Sequence, residues 1–227
     1  MRRVVALELM DDPAVDRADL AANFDDIERA NRFFGGTRPV VAELLARDVR
    51  RVLDVGCGSA DIPRALVRAA CRRGRDLEVV ALDSSDAVLA IARARTAAGA
   101  PIRYVRAEGT ALPFADGAFD IATCNLALHH FEPPEAVAML RELRRVSAQT
   151  PLVCDLVRSV PGYVAAALFA RFVATNRLTK HDAPLSLRRA YTPPEALELA
   201  RAAGWTAPRV ARHPFFRMVL TDDVRAG

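Results

Sequence analysis

The sequence predicts an α/β fold: a seven-stranded, mostly parallel sheet with helices on both faces, an antiparallel last strand and an N-terminal helical cap. Three observations lead there. Short apolar runs at 52–55, 77–82, 101–105, 119–126 and 151–154 alternate with stretches of helical period, the pattern of parallel strands joined by right-handed crossovers. A glycine turn at Gly56 and Gly58 joins the first run to a helix. Two last runs, 205–211 and 215–220, follow one another around His213-Pro214 with no helix between, as an antiparallel edge pair does.

The cap comes first. Val15, Leu20, Phe24 and Ile27 recur at helical intervals, Phe33-Phe34-Gly35-Gly36 marks a stop, and a second helix covers Pro39 to Ala46. These helices have no strand to cross over from, so they pack at the sheet edge or over a pocket mouth. Phe33 and Phe34 are candidate lid residues there.

The stretch RVLDVGCGSAD then switches from strand to helical period on its glycines, and Asp61 opens the helix. Side chains at Gly56 and Gly58 would block either a positive-φ backbone or the close approach of a ligand. Asp61 stands where the dinucleotide fingerprint has its third glycine, and no Gly-Lys-Ser/Thr follows as in a phosphate loop. The turn therefore suits a nucleoside without a pyrophosphate.

Ligands of such sheets bind at the carboxyl ends of the strands. Asp83 stands at the tip of the second strand, where a carboxylate accepts hydrogen bonds from both ribose hydroxyls and repels a 2′-phosphate; capping of the next helix, shared with Ser84 and Ser85, is its structural alternative. The third strand runs into Glu108, Gly109 and Thr110, and the fourth ends at Asn125 before His129 and His130. Asp155 tips the fifth. Past it, the apolar helix Val164, Leu168, Phe169 and Phe172 leads to a polar and aromatic connection with His181, Arg188 and Tyr191. Thr192-Pro193-Pro194-Glu195 starts a last helix, which Gly204 stops.

The composition closes off other classes. At 227 residues and 52% hydrophobic content the chain can bury one generous core. Its net charge of +4 is spread as arginine through helices, with no dense basic tract, which argues against nucleic acid as a partner. Cys57, Cys71, Cys124 and Cys154 form no C-x-x-C pair and read as reduced thiols. Residues 1–10 do not read as a signal peptide, and the longest apolar stretch, Val160 to Ala174, is broken by Arg171 and too short to span a membrane. The expected location is cytoplasmic and the expected state a monomer or homodimer. No metal site is read.

Taken together, VLDVGCGSAD, ALDSS, AEGTALPFADGAFD and CNLALHHF, in this order and spacing, resemble the class I S-adenosylmethionine-dependent methyltransferases, especially the small-molecule branch related to ubiquinone and menaquinone methyltransferases. The likeness covers about Val52 to Asp155. It implies a Rossmann-like domain over residues 51–227, after a cap at 1–50, with a substrate-covering insertion at about 157–191.

It also implies S-adenosyl-L-methionine as cofactor and S-adenosyl-L-homocysteine as product. Asp54 and the turn of Gly56, Cys57 and Gly58 would surround the methionine part. Asp83 with Ser84 would hold the ribose and Glu108 the adenine amino group, beside Gly109 and Thr110, and Asn125 would complete the set. Two positions depart from the family pattern: Ala60 replaces a glycine, tolerable with a negative φ, and Glu108 replaces an aspartate. In a sheet ordered 3-2-1-4-5 the fourth and fifth tips flank the transferred methyl, so His129, His130 and Asp155 would converge near the acceptor.

His130, oriented by Asp155 or His129, is then the candidate base for O-methylation of a small, largely apolar phenol, hydroquinone or polyketide. A histidine pair also serves related enzymes whose acceptor is carbon, so C-methylation of a quinol-type ring is the alternative. A module that binds the cofactor without turnover is another. Phe33, His181, Arg188 and Tyr191 are the expected acceptor contacts.

Overall fold

The structure is a computed structural model that describes residues 1–34 and 36–222. Its seven strands are β1 (Arg51–Val55), β2 (Glu78–Asp83), β3 (Ile102–Arg106), β4 (Ile121–Asn125), β5 (Leu152–Leu156), β6 (Pro208–His213) and β7 (Arg217–Asp222). The helices are α1 (Arg17–Phe33), α2 (Thr37–Ala46), α3 (Asp61–Cys71), α4 (Asp86–Ala94), α5 (Pro133–Val146), α6 (Val160–Phe172), α7 (Arg177–Arg189) and α8 (Pro193–Ala202).

The sheet order is β3-β2-β1-β4-β5-β7-β6. Strand β1 pairs in parallel with both β2 and β4, so the order reverses there and opens a crevice at the strands' carboxyl ends. Strand β7 runs antiparallel to β5 and to β6, as the two helix-free terminal runs require.

Alternation along β1 divides the core. Leu53 and Val55 face one layer with Leu140, Leu143 and Trp205 of the α5 and α8 side, whereas Val52 faces Leu44 of α2 and Leu66 of α3. The Trp205 indole donates to the Leu140 carbonyl at 3.0 Å, which satisfies its polar edge inside that layer. Helix α1 packs on α4 through Leu20, Phe24, Val88 and Ile91, which brings it over the glycine turn.

Three expectations change. Residues after α6 form a second helix, α7, capped by the Asn176 carboxamide, which accepts from the Leu178 N–H at 2.7 Å; Pro184 inside it and its polar content hide it from periodicity. Asp155 lies within β5, one residue short of its end. Ala60 has φ 60°, left-handed, so the negative φ that would make an alanine easy to tolerate there is not met. Cys57, Cys124 and Cys154 are buried and Cys71 is exposed, all free thiols. Gly35, part of the stop signal, lies outside the described residues. Among the described residues, no helix is long and apolar enough to cross a membrane.

Candidate functional site

The turn after β1 is locked to β2: the N–H groups of Gly56 and Cys57 both donate to the Leu82 carbonyl at 2.9 Å. Gly56 has φ 71°, and a Cβ there would meet the Ala127 side chain at 2.7 Å. At Gly58, φ is 53° and a Cβ would press on the Phe24 ring at 3.1 Å. Neither position accepts a side chain without a shift.

Asp83 closes on this turn. Its carboxylate accepts the Gly58 N–H and the Ser85 N–H, each at 3.1 Å, and burial pushes its pKa up against those bonds. Glu28 of α1 braces the other side, accepting from Ser59 Oγ at 2.7 Å, Arg64 at 2.7 Å and Arg95 at 2.8 Å. Burial would raise the Glu28 pKa, but the bonds from Ser59 and Arg95 and the nearby guanidinium charges hold it below its usual value.

Asp54 stands behind the turn. Burial raises its pKa to about 7, against hydrogen bonds from Asn125 at 2.7 Å and Thr123 at 2.9 Å. Those bonds hold the Asn125 carboxamide at the β4 tip, where its Oδ1 is buried without a partner. Such an acceptor asks for a donor from a bound molecule. Bare backbone at Gly56 and Gly58, a carboxylate against it and an orphan acceptor beside it fit a nucleoside that carries an amino-acid tail.

These groups open into a cavity of about 870 Å³. That is toward the upper end of the roughly 300–1,000 Å³ of cofactor and ligand sites. Apolar side chains from α1, α6 and the β6–β7 hairpin form its far wall, among them Ile27, Phe34, Ala166, Phe169 and Phe215.

The opposite wall is ionic. His129 Nδ1 lies 2.7 Å from Asp155 Oδ1, and its backbone N–H donates to Asp155 Oδ2 at 2.9 Å. Burial would raise the Asp155 pKa, but the His129 partnership outweighs it and keeps the carboxylate charged. His130 turns the other way, with Nδ1 3.0 Å from Asp11 Oδ2 and Nε2 3.7 Å from Glu8 Oε2. Burial alone would lower the His130 pKa; the Glu8 and Asp11 carboxylates outweigh it and raise it to about 9. This contradicts the expectation for His130: it is not oriented by Asp155, and at neutral pH its ring already holds the proton a base must accept.

The N-terminal segment is tied onto this wall. Arg189 donates to the carbonyls of Ala6, His129 and His130, Asp182 accepts the N–H groups of Leu9 and Met10, and Ser186 donates to Glu8. Glu8, His129 and His130 each bring one potential ligand atom within 4.8 Å of the others, a donor set of metal-binding type.

The residues expected from sequence fall into three groups. Gly56, Cys57, Gly58, Asp83, Ser84, Glu108, Gly109, Asn125, His129 and His130 line the cavity. Asp54, Thr110 and Asp155 do not line it, and Asp54 and Asp155 act through Asn125 and His129. Phe33, His181, Arg188 and Tyr191 are off the cavity, against expectation. Phe33 is 71% exposed, His181 and Arg188 face solvent, and the Tyr191 hydroxyl donates to the Phe131 carbonyl from within the core. Phe34, the other lid candidate, and Arg189, next to Arg188, are on the wall instead.

Glu8, Asp11 and Arg217 line the cavity without having been singled out from sequence. Arg217 is the more informative: it is buried, bonds Asn31 Oδ1 at 3.2 Å, and leaves Nε and Nη1 without partners. The only signal for it was an arginine inside the otherwise apolar run 215–220.

Comparison with known proteins agrees with this geometry. A methyltransferase-domain family matches residues 52–150. The chain is 34% identical over 170 residues to the 2-phytyl-1,4-naphtoquinone methyltransferase of Synechocystis sp., spanning 68% of this chain and 69% of that one. It is 33% identical over 135 residues to the demethylmenaquinone methyltransferase of Thermus thermophilus, spanning 58% of this chain and 59% of the relative. A solved S-adenosylmethionine-dependent methyltransferase from Aquifex aeolicus shares the fold, with a TM-score of 0.66 over 91% of this chain and 97% of that chain at 17% identity. The glycine cradle, its facing carboxylate and these relatives together place the chain in the class I S-adenosylmethionine-dependent methyltransferases of the quinone-methyltransferase type, with S-adenosylmethionine as its cofactor.

Proposed function

We propose that the chain methylates a ring carbon of a small, largely apolar quinol, and that His129 takes the proton of the ring hydroxyl. The observation that carries this reading is the His129–Asp155 pair on a cavity whose other wall is apolar. With Nδ1 2.7 Å from the buried Asp155 carboxylate, the imidazole turns Nε2 toward the side of Glu8, 3.8 Å from its Oε1, and Asp155 steadies the cation that forms when the ring accepts a proton. An apolar ring fills the space beside Phe34, Phe169 and Phe215 without leaving polar groups unpaired.

Bound S-adenosylmethionine supplies an electrophilic methyl group on a sulfonium. The residues that would hold it are Gly56, Gly58, Asp83, Asn125 and Glu108. Placing it against the acceptor contributes through proximity, which can be worth about 7–11 kcal/mol. Loss of the hydroxyl proton to His129 spreads negative charge over the oxygen and the ring carbons; after methylation His129 returns that proton to the oxygen, accepts the proton from the methylated ring carbon as aromaticity is restored, and releases it to solvent. His130, paired with Asp11 and Glu8, packs against the His129 ring with centroids 4.5 Å apart and supports it on the same wall. The names of the relatives, both methyltransferases of naphthoquinone-type compounds, support a quinol acceptor.

One feature favours a second reading, O-methylation of a phenol, hydroquinone or polyketide: the oxygen that His129 deprotonates is itself a nucleophile at the same wall. Incubation with methyl-labelled cofactor and a reduced short-chain naphthoquinol, followed by NMR of the product, separates the two. A carbon-bound methyl is expected; a methyl ether transfers the proposal to oxygen, and binding without transfer to any quinol or phenol overturns both.

A further inference from the structure

We propose that the rim of the cavity beside α6 is a docking face for an anionic lipid surface. Helix α6 is apolar on two sides. Gly162, Ala165, Ala166 and Phe169 line the cavity, while Val160, Val164, Leu168 and Phe172, four residues apart, are 60%, 49%, 53% and 74% exposed. A helix that only roofed a pocket would carry polar residues on that outer stripe.

The stripe continues into other elements. Phe34, just past the end of α1, packs on Phe169 with centroids 5.8 Å apart and on Phe215 of the β6–β7 hairpin at 5.5 Å. Phe215 is 54% exposed, and Phe33 next to Phe34 is exposed as well. Three segments distant in sequence thus present large apolar side chains around one cavity mouth, a concentration that a soluble surface avoids unless it meets a partner.

Charge identifies the partner. The stretches in which these apolar side chains lie, residues 29–42, 156–181 and 207–221, contain no aspartate or glutamate; the acids that line the cavity, among them Asp12, Asp86 and Glu108, come from other segments. They do contain the exposed Arg32, Arg38, Arg171 and Arg212, with Arg171 lying over the Phe172 ring at 5.5 Å. Apolar side chains to insert and arginines to meet phosphate headgroups are the two components of interfacial binding. A second copy on a two-fold axis would set these arginines against each other. A lipid surface would neutralise them, and it would deliver an apolar acceptor straight into the mouth; this last point rests on the function proposed above.

The test is sedimentation of the full chain with vesicles of phosphatidylcholine alone and of phosphatidylcholine with phosphatidylglycerol. Binding to the anionic vesicles is expected, weakened by high salt, and weakened about tenfold or more in Leu168→Ser/Phe172→Ser. Unchanged S-adenosylhomocysteine affinity certifies the fold of that variant, and Val164→Ser replaces it if that affinity is lost. Failure of the wild type to sediment, equal sedimentation of the serine variant, or a dimer that the variant dissolves in place of vesicle binding overturns the proposal. Methyl transfer without vesicle binding removes the docking alone; vesicle binding without transfer removes the acceptor assignment alone.

Discussion

Asp155 holds His129 at two points, its Oδ1 2.7 Å from the ring Nδ1 and its Oδ2 accepting the backbone N–H at 2.9 Å. Ring orientation and tautomer are therefore both set by one buried carboxylate. Asp155→Asn keeps the shape and removes the preference for an Nδ1 proton. Turnover of a quinol should fall about 10²–10⁴-fold while S-adenosylhomocysteine affinity stays within about twofold. Single-turnover rates beside calorimetry read this directly; a variant with wild-type turnover removes Asp155 from the proton path.

His130 makes the protein's stability depend on pH. Its folded pKa, about 9, is raised above its ordinary 6.5. The contribution is thus fully present below about pH 6.5 and lost as pH rises through about 9, amounting to a few kcal/mol at most. Urea unfolding at intervals across that window should show the decline, and Asp11→Asn should flatten it. A histidine that NMR titrates near its ordinary value refutes the ion network.

The role proposed for Asp83 is to bind the cofactor rather than the acceptor. Asp83→Ala should weaken S-adenosylhomocysteine binding at least about tenfold, some 1.4 kcal/mol. It also strips the Gly58 and Ser85 N–H groups of their acceptor, so Asp83→Asn, which keeps an acceptor oxygen, should be the milder variant. Equal affinities for wild type and both variants exclude the ribose role.

Much of this was legible from sequence because it is local. The parallel strands and the glycine turn follow from period and from residues that have no alternative conformation. The ends of those strands bring Asp83, Asn125 and the two histidines to one crevice as a matter of topology. What stayed hidden was pairing between distant segments. Nothing within residues 1–16 marks Glu8 and Asp11 as partners of His130, since that contact is made only when Arg189 and Asp182 dock the segment from α7. Of the two adjacent phenylalanines only Phe34 reaches the cavity, and with α7 read as an open connection nothing told Arg188 from Arg189, which lines it.

Ala60 shows the same limit at a single residue. Its φ of 60° costs about 1–2 kcal/mol for a residue with a Cβ, partly offset by the unfolded-state freedom that glycine would add. Ala60→Gly should therefore stabilise the protein by about 0.5–1 kcal/mol, seen as a rise of roughly 1–4 °C in Tm. A lowered Tm contradicts the left-handed turn.

The division of labour between the two histidines is the center of the account, and one experiment addresses it: single-turnover methyl transfer from labelled S-adenosylmethionine to a reduced naphthoquinol, compared in wild type, His129→Ala and His130→Ala. Transfer should collapse in the His129 variant and fall only modestly in the His130 variant, with cofactor affinity intact in both. The reverse order, with His130 indispensable and His129 expendable, would contradict it.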